Sequence, residues 1–422
     1  METSSRPKLK LFSLSIVVIS LVIGMAIFKT ASFTANASLN SEMFFIAWIT
    51  RGIIALCGAL TYAEIGSRYP ITGGYYRIFS VAYHPSIAFA MNGTILISNA
   101  AALGGVSLIG SDYLCSLLFD SNVGVAIKTW IAVGSIAIFY FVNLKGLKFS
   151  STTLNVLMLI KIAMILLIIS AIFFPQIHAD NSNLVQAVKY ANWKDYFWAF
   201  GAALVAVSFT YGGYQHSINF GEEVENAPKA MPRGIIIGMS VVIILYLLIN
   251  FSYYKVIGFD ELKTSSGIAS VVVLKLLGST GETIFTGLLV LAVLTYVNVN
   301  LLSNPRIMYA MSVDGVLPKI FSKRHPSSQV FIVSLSVFAA TALVITFFAE
   351  TFDKILGFVM ILDSLGMAAS AATLFYLRRN ASSQDSSQIY AMRFYPFVPV
   401  LFIMAYLLSA FHVFICILSM GS

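Results

Sequence analysis

Apolar runs of about twenty residues recur from end to end of this 422-residue chain, and nothing else constrains its fold as tightly. At about 1.5 Å per residue, each run is long enough to cross the roughly 30 Å hydrocarbon core of a bilayer as a helix. Charged residues make up 10% of the chain and hydrophobic ones 58%, whereas an ordinary soluble domain carries about a quarter charged residues. A soluble globular domain is excluded. The reading is an all-α polytopic membrane protein of one domain, residues 1–422. After a first span from Leu11, the expected helices are Phe44–Gly66, Ile87–Ile109, Val125–Phe141, Leu154–Phe174, Phe197–Phe220, Ile235–Tyr254, Ile284–Leu301, Val330–Phe348, Ile355–Leu377 and Phe397–Leu418. That makes eleven.

Arg6, Lys8 and Lys10 precede the first run, and Ala35-Asn36-Ala37 is similar to a signal-peptidase site. A retained first span is the better reading, because its apolar run reaches about twenty residues and many more spans follow. The net charge of +8 points to basic residues gathered on one side of a membrane, not to nucleic acid. With a cytoplasmic N-terminus, sixteen of the 26 lysines and arginines fall in inside segments and eight outside, while Arg51 and Lys161 lie within spans. The bias persists loop after loop, as the positive-inside rule requires of a correct span count. The expected location is the cell (inner) membrane. Cys57, Cys115 and Cys416 are scattered through apolar segments and read as packing residues. No metal and no cofactor is called for.

Two of the spans are interrupted. Ser208–Gly234 reads SFTYGGYQHSINFGEEVENAPKAMPRG, an apolar helix that meets Gly212-Gly213 between Tyr211 and Tyr214 and ends in a charged, proline-bearing loop. The first span carries Gly24-Met25-Ala26-Ile27-Phe28 near its middle. Freed backbone groups at membrane depth survive only when buried in protein or lining a cavity. Matched interruptions in two halves of opposite topology point to a transporter site at an inverted-repeat interface. The halves are approximately residues 11–174 and 196–377, and the last helix, 397–418, is peripheral.

Four stretches resemble the amino acid–polyamine–organocation permeases, within them the L-type amino acid transporter branch. Gly24–Phe28 matches that family's GSGIF with two substitutions. Tyr62-Ala63-Glu64-Ile65-Gly66-Ser67-Arg68-Tyr69-Pro70 followed by Gly73-Gly74-Tyr75 is similar to its A-E-L-x-x-x-x-P…GG-x-Y signature. Glu222–Pro228 with Pro232 is similar to its E-E-x-x-N-P…P loop, with one extra residue after Asn226. Arg306–Met311 and Asp314–Pro318 resemble its R-x-x-y-A-M-x-x-D-G-x-x-P loop. The resemblance implies a LeuT-type fold of five plus five inverted helices with discontinuous helices 1 and 6. It implies a substrate carboxylate on the backbone around Gly24, Met25 and Ala26, flanked by Ile23 and Ile27. The amino group would meet Phe209, Thr210 and Tyr211, with Gly212 at the break. Half-helix ends agree, since N-termini favour anions and carbonyl ends favour cations. Met25 and Ala26 replace a small hydroxyl residue and a glycine of the family pattern, which bears on substrate size.

Charges inside the hydrocarbon cost about 2.5–3.5 kcal/mol on insertion scales, so each needs a reason. Lys161, seven residues after Leu154, lies about 10 Å into the fifth span. In the resemblance, a lysine there replaces the ion of sodium-coupled relatives, implying sodium-independent exchange or proton coupling; the plainer alternative is a lysine tying helices together through backbone carbonyls. Asp363 reads as a partner of Lys161, a proton carrier, a counter-charge for a cationic substrate, or a structural polar residue. Arg51 is expected to snorkel or to pair with Asp112 as a structural contact. Glu64, Glu222 and Glu223 fall at cytoplasmic helix ends near Arg68, Lys229 and Arg233. His216 reads as a satisfied packing residue, with titration in a cavity as the alternative. Tyr211 and Tyr214 are either a lid over a ligand or core. Of Asn298 and Asn300, which face different sides, one is expected to line the pathway toward Lys161.

The leading expectation is a secondary transporter of a neutral amino acid, with a possible homodimer; the runner-up carries a cationic amino acid or amine against Asp363. An intramembrane enzyme would need a nucleophile with its base or a metal cluster, and the chain has no HExxH, no G-x-S-x-G and no clustered His or Asp. A nutrient sensor without net transport has the same sequence features.

Overall fold

The computed structural model describes residues 8–28, 30–119, 123–173, 192–265, 267–348, 352–380 and 389–420. The first span is two helices, α1 (Leu11–Val22) and α2 (Thr30–Ala37), separated by an irregular stretch and a 3₁₀ turn at Ala26–Phe28. Next come α3 (Ser41–Arg68), the short α4 (Gly74–Ala82), α5 (Pro85–Leu118), α6 (Val125–Leu144) and α7 (Leu147–Ser170). The sixth span starts as α8 (Trp193–Ser208) and continues only as 3₁₀ turns at Phe209–Tyr211, Tyr214–Asn219 and Gly221–Glu223. The chain then runs through α9 (Ala227–Ile257), the short α10 (Phe259–Thr264), α11 (Ile268–Val313), α12 (Ile332–Phe348), α13 (Phe352–Arg379) and α14 (Phe397–Met420). Seven of the described helices are long and apolar enough to cross a membrane. Helix is found in every expected span, so the chain is an all-α polytopic membrane protein.

Helix starts follow local chemistry. The Asn40 side chain accepts the Met43 N–H at 2.8 Å and caps α3. Pro85 opens α5, where its missing N–H costs no intrahelical bond. Several bounds differ from expectation. The sixth span is expected over Phe197–Phe220 with its break at Gly212-Gly213; regular α-helix stops a turn earlier, at Ser208, and the rest of the span is 3₁₀ turns. The eighth was read from Ile284, whereas α11 reaches back to Ile268 through a kink at Gly278 (φ 71°, ψ −172°). α7 begins at Leu147, not Leu154, so Lys161 lies about 21 Å along its helix, twice the expected depth.

α1 is buried on all sides from Leu14 to Val22, as befits the centre of a bundle. It packs against α7, α9 and α11. Gly234 and Gly238 of α9 face Leu14 and Val18, where an added Cβ would approach each side chain to 2.7 Å. Two small residues four apart let the helices close up, the usual device where no hydrophobic drive separates helix from lipid. The outer helices present apolar side chains outward, as with Ile46, Ile49 and Ile53 on α3. Cys57 and Cys115 are buried free thiols; the side chain of Cys416 lies outside the described residues.

Candidate functional site

The two breaks lie against each other. α1 ends where Ile23 leaves helical geometry (φ −73°, ψ 86°), and the Gly24 N–H turns back to Val22 O at 2.8 Å. The 3₁₀ turn's bond runs from Phe28 N–H to Met25 O at 3.2 Å. The first N–H groups of a helical turn have no intrahelical partner, and here these are those of Met25, Ala26 and Ile27. In the sixth span Gly213 sits at φ 110°, and a Cβ there would stand 2.1 Å from Leu21 O. Only glycine permits both that torsion and that approach. Its N–H is capped by Gln215 Oε1 at 2.9 Å.

Two side chains hold the broken ends. Tyr246 of α9 donates its hydroxyl toward both Val22 O (3.3 Å) and Thr210 O (3.2 Å), bridging the first break to the second. Lys161, fully buried, donates from Nζ to Ile23 O at 2.8 Å. An ammonium at the carbonyl end of α1 has the favourable dipole sense, and the opposing N–H ends suit an anion.

Among the expected site residues, Ile23, Gly24, Met25, Ile27, Thr210 and Tyr211 are buried, while Ala26 and Gly212 keep partial exposure. Phe209 lies in the turn beside Thr210; its side chain is outside the described residues. Gly213, Tyr296 and Asp363 are also only part-buried. Tyr296 faces Gly24, its ring 3.7 Å from where a Cβ would stand. Tyr246, Tyr296 and Gln215 were missed in the sequence; an isolated tyrosine in an apolar helix was the available signal.

Several expected partners are corrected. Lys161 bonds to Ile23 O and not to Asp363, because the opened helix end offers a carbonyl within reach. Asp112 pairs with Lys128 at 2.8 Å, while Arg51 is buried with its guanidinium 4.2 Å from the Tyr406 ring centroid. Glu64 does meet Arg68 (2.7 Å), yet its second partner is the distant Arg378 (2.6 Å). Glu223 pairs with Arg306 (2.6 Å) and Glu222 with Arg324 (3.4 Å), not with Lys229 or Arg233. Of the two readings of Tyr211 and Tyr214, the core one fits their full burial against Trp48 and Tyr62. His216 is buried beside Tyr75, but its Nδ1 finds no partner among the described residues. Neither asparagine turns to Lys161: Asn298 bonds with Asn143 and Ser150, and Asn300 with Tyr296 O.

The end of the bundle where α1 begins is closed. Leu9 pairs as an extended residue with the segment after the second break, its N–H on Glu223 O (2.6 Å) and its carbonyl taking the Glu225 N–H (3.0 Å). Behind it, Arg306 is stacked 4.4 Å from the Phe220 ring centroid. A cavity of about 50 Å³ lined by Glu222, Glu223, Arg306 and Arg324 remains there. A cavity of that volume is too small for an amino acid.

Comparison with known proteins gives the same picture over nearly the whole chain. The profile described as "Amino acid permease" matches residues 9–421. The serine/threonine exchanger SteT of Bacillus subtilis is 27% identical over 398 residues, covering 93% of this chain and 87% of that protein. The branched-chain amino acid permease BcaP of the same organism is 28% identical over 400 residues, covering 88% and 79%. The human cystine/glutamate transporter is 28% identical over 376 residues, covering 86% and 72%.

Proposed function

The chain belongs to the amino acid permease family, and on that premise we propose that it is a secondary active transporter moving a neutral amino acid by alternating access. The observation that carries the reading is the apposition of the two breaks, bridged by Tyr246 and held by Lys161 at Ile23 O. In this reading the substrate carboxylate takes the N–H groups of Met25–Ile27, and its ammonium takes carbonyls around Phe209–Tyr211. Lys161 supplies the fixed positive charge that a bound sodium ion would supply, so transport is sodium-independent. Rocking of one five-helix half (about 11–174) against the other (about 196–377) changes the accessible side.

A neutral side chain is preferred because the paired breaks offer one N–H end and one carbonyl end, which match the two charges of a zwitterion's backbone groups. The protein is placed, in this reading, in the cell membrane with its N-terminus cytoplasmic. The test is uptake into sodium-free proteoliposomes preloaded with mixed amino acids, with and without a proton gradient. Uptake that needs internal amino acid and ignores pH identifies an exchanger. Uptake driven by the gradient and lost in Asp363→Asn identifies Asp363 as the proton site. Dependence on sodium, or no uptake of any amino acid, contradicts the proposal.

A further inference from the structure

Glu64 is a fully buried carboxylate near the end of α3, and its partners come from three places. Arg68, one turn on, donates from Nε at 2.7 Å. Arg378, at the end of α13, donates from Nε at 2.7 Å and from Nη2 at 2.6 Å, the two-pronged form that fixes a carboxylate in place. The third partner is backbone, the Met392 N–H at 2.9 Å from Oε2. Met392 belongs to the segment that leads into α14. The same segment gives its Tyr390 N–H to Ser67 Oγ at 2.8 Å, and that hydroxyl donates on to Pro228 O at 2.6 Å in the first turn of α9. The Arg378 guanidinium also lies 3.8 Å from the Tyr395 ring centroid and donates to Met392 O at 3.2 Å. A cavity of about 210 Å³ between the segment and Leu60 leaves its inner face partly unpacked, so these polar anchors hold it.

Residues 390–395 thus fasten α3, in the first half, to α13 and to the start of α9, in the second. They do so at the end of the bundle where Leu9 pairs beside Glu223 and Thr72 donates to Glu222 at 3.0 Å. α14, into which they run, packs on α3, α8 and α13. At Gly58 of α3 an added Cβ would collide with both the Phe402 ring of α14 and the hydroxyl of Tyr214, the residue after Gly213. Farther along α14, His412 lies against Trp198 of α8, their ring centroids 5.7 Å apart. Halves that rock against each other must stretch or break the contacts that cross between them. A buried carboxylate is stable with its partners and costly without them, so such a link is either made or released. We propose that segment 390–395, anchored on Glu64 and Ser67, is a latch that holds this end of the bundle shut and releases when it opens. α14, which carries the latch and reaches the second break, is then part of the gate and not a peripheral helix. Its place in a cycle rests on the transport reading; the latch itself does not.

The test is the rate at which a thiol reagent labels Leu302→Cys, beside the small cavity at the closed end, in the full-length protein with Cys57 and Cys416 replaced by serine. Cys115, 3% exposed near the far end of α5, is kept as an internal control for general loosening. Glu64→Gln keeps the side-chain shape and weakens both guanidinium contacts. Arg378→Gln leaves Glu64 paired with Arg68, so it reports even where Glu64→Gln does not fold. The expected result is labelling at Leu302→Cys about tenfold faster in either variant, with a double variant no faster than the faster single, as two residues acting through one contact require. Cys115 should stay at its wild-type rate throughout. Equal rates at Leu302→Cys in wild type and variants, additive effects in the double variant, or a parallel rise at Cys115 overturns the latch. The readout needs no transport, so faster labelling in a protein that moves no amino acid would count against the transport reading alone.

Discussion

Lys161 shows what a sequence yields about one residue. A lysine within an apolar span is legible as meaningful because its insertion is costly. Its partner is not legible, since Ile23 lies 138 positions away and its carbonyl is available only because the first helix breaks there. The same holds for Tyr246, which had no motif to mark it. Removing a charge-assisted hydrogen bond to a buried partner costs about 1.5–3 kcal/mol. Lys161→Ala should therefore slow amino acid exchange about tenfold to a hundredfold in proteoliposomes, and addition of sodium should not stimulate the wild type. An unchanged rate in the variant would show that the ammonium has no part in the cycle. Tyr246→Phe deletes the hydroxyl that spans both breaks while keeping the ring that packs 5.0 Å from Tyr211. It should lower the thermal midpoint by a few degrees, from a loss of about 1–2 kcal/mol. A midpoint equal to wild type would remove the bridge from the account.

At the scale of elements, the apolar-run criterion found where the spans are and misjudged where helices stop. Such runs follow the hydrocarbon thickness, whereas helices continue into the interfacial zone where polar residues are tolerated. The extension of α11 behind Gly278 and the early start of α7 at Leu147 were hidden for that reason. The breaks themselves were legible, because a Gly-Gly pair and a small-residue stretch weaken helices wherever they occur. Which acid meets which base was not, since Glu223 and Arg306 come from segments 83 residues apart. That pair, with the Leu9 bridge, closes the end of the bundle where α1 begins. Glu223→Gln should loosen this closure. A cysteine at Leu302, which lines the small cavity there, should react with a thiol reagent about tenfold faster in that background, a shift of about 1.4 kcal/mol in the opening equilibrium. Equal rates would mean that the ion pair does not hold the gate.

For the whole molecule, charge distribution and the resemblance gave the class before any coordinates. The side-chain geometry inside the bundle had to come from the structure. The positive-inside bias predicts that eleven spans leave Ser422 opposite the N-terminus. A reporter fused after Ser422 that is active only outside the cytoplasm should be active; one that works only inside would mean a span is miscounted. The central claim is that the opposed breaks hold the amino acid, and Ala26 is the part-exposed position on the first of them. The most direct measurement is the labelling rate of Ala26→Cys by a small thiol reagent, with Cys57, Cys115 and Cys416 replaced by serine. If the breaks form the substrate site, a saturating amino acid that the protein exchanges will slow labelling several-fold. Labelling at the same rate with and without that amino acid would contradict the account.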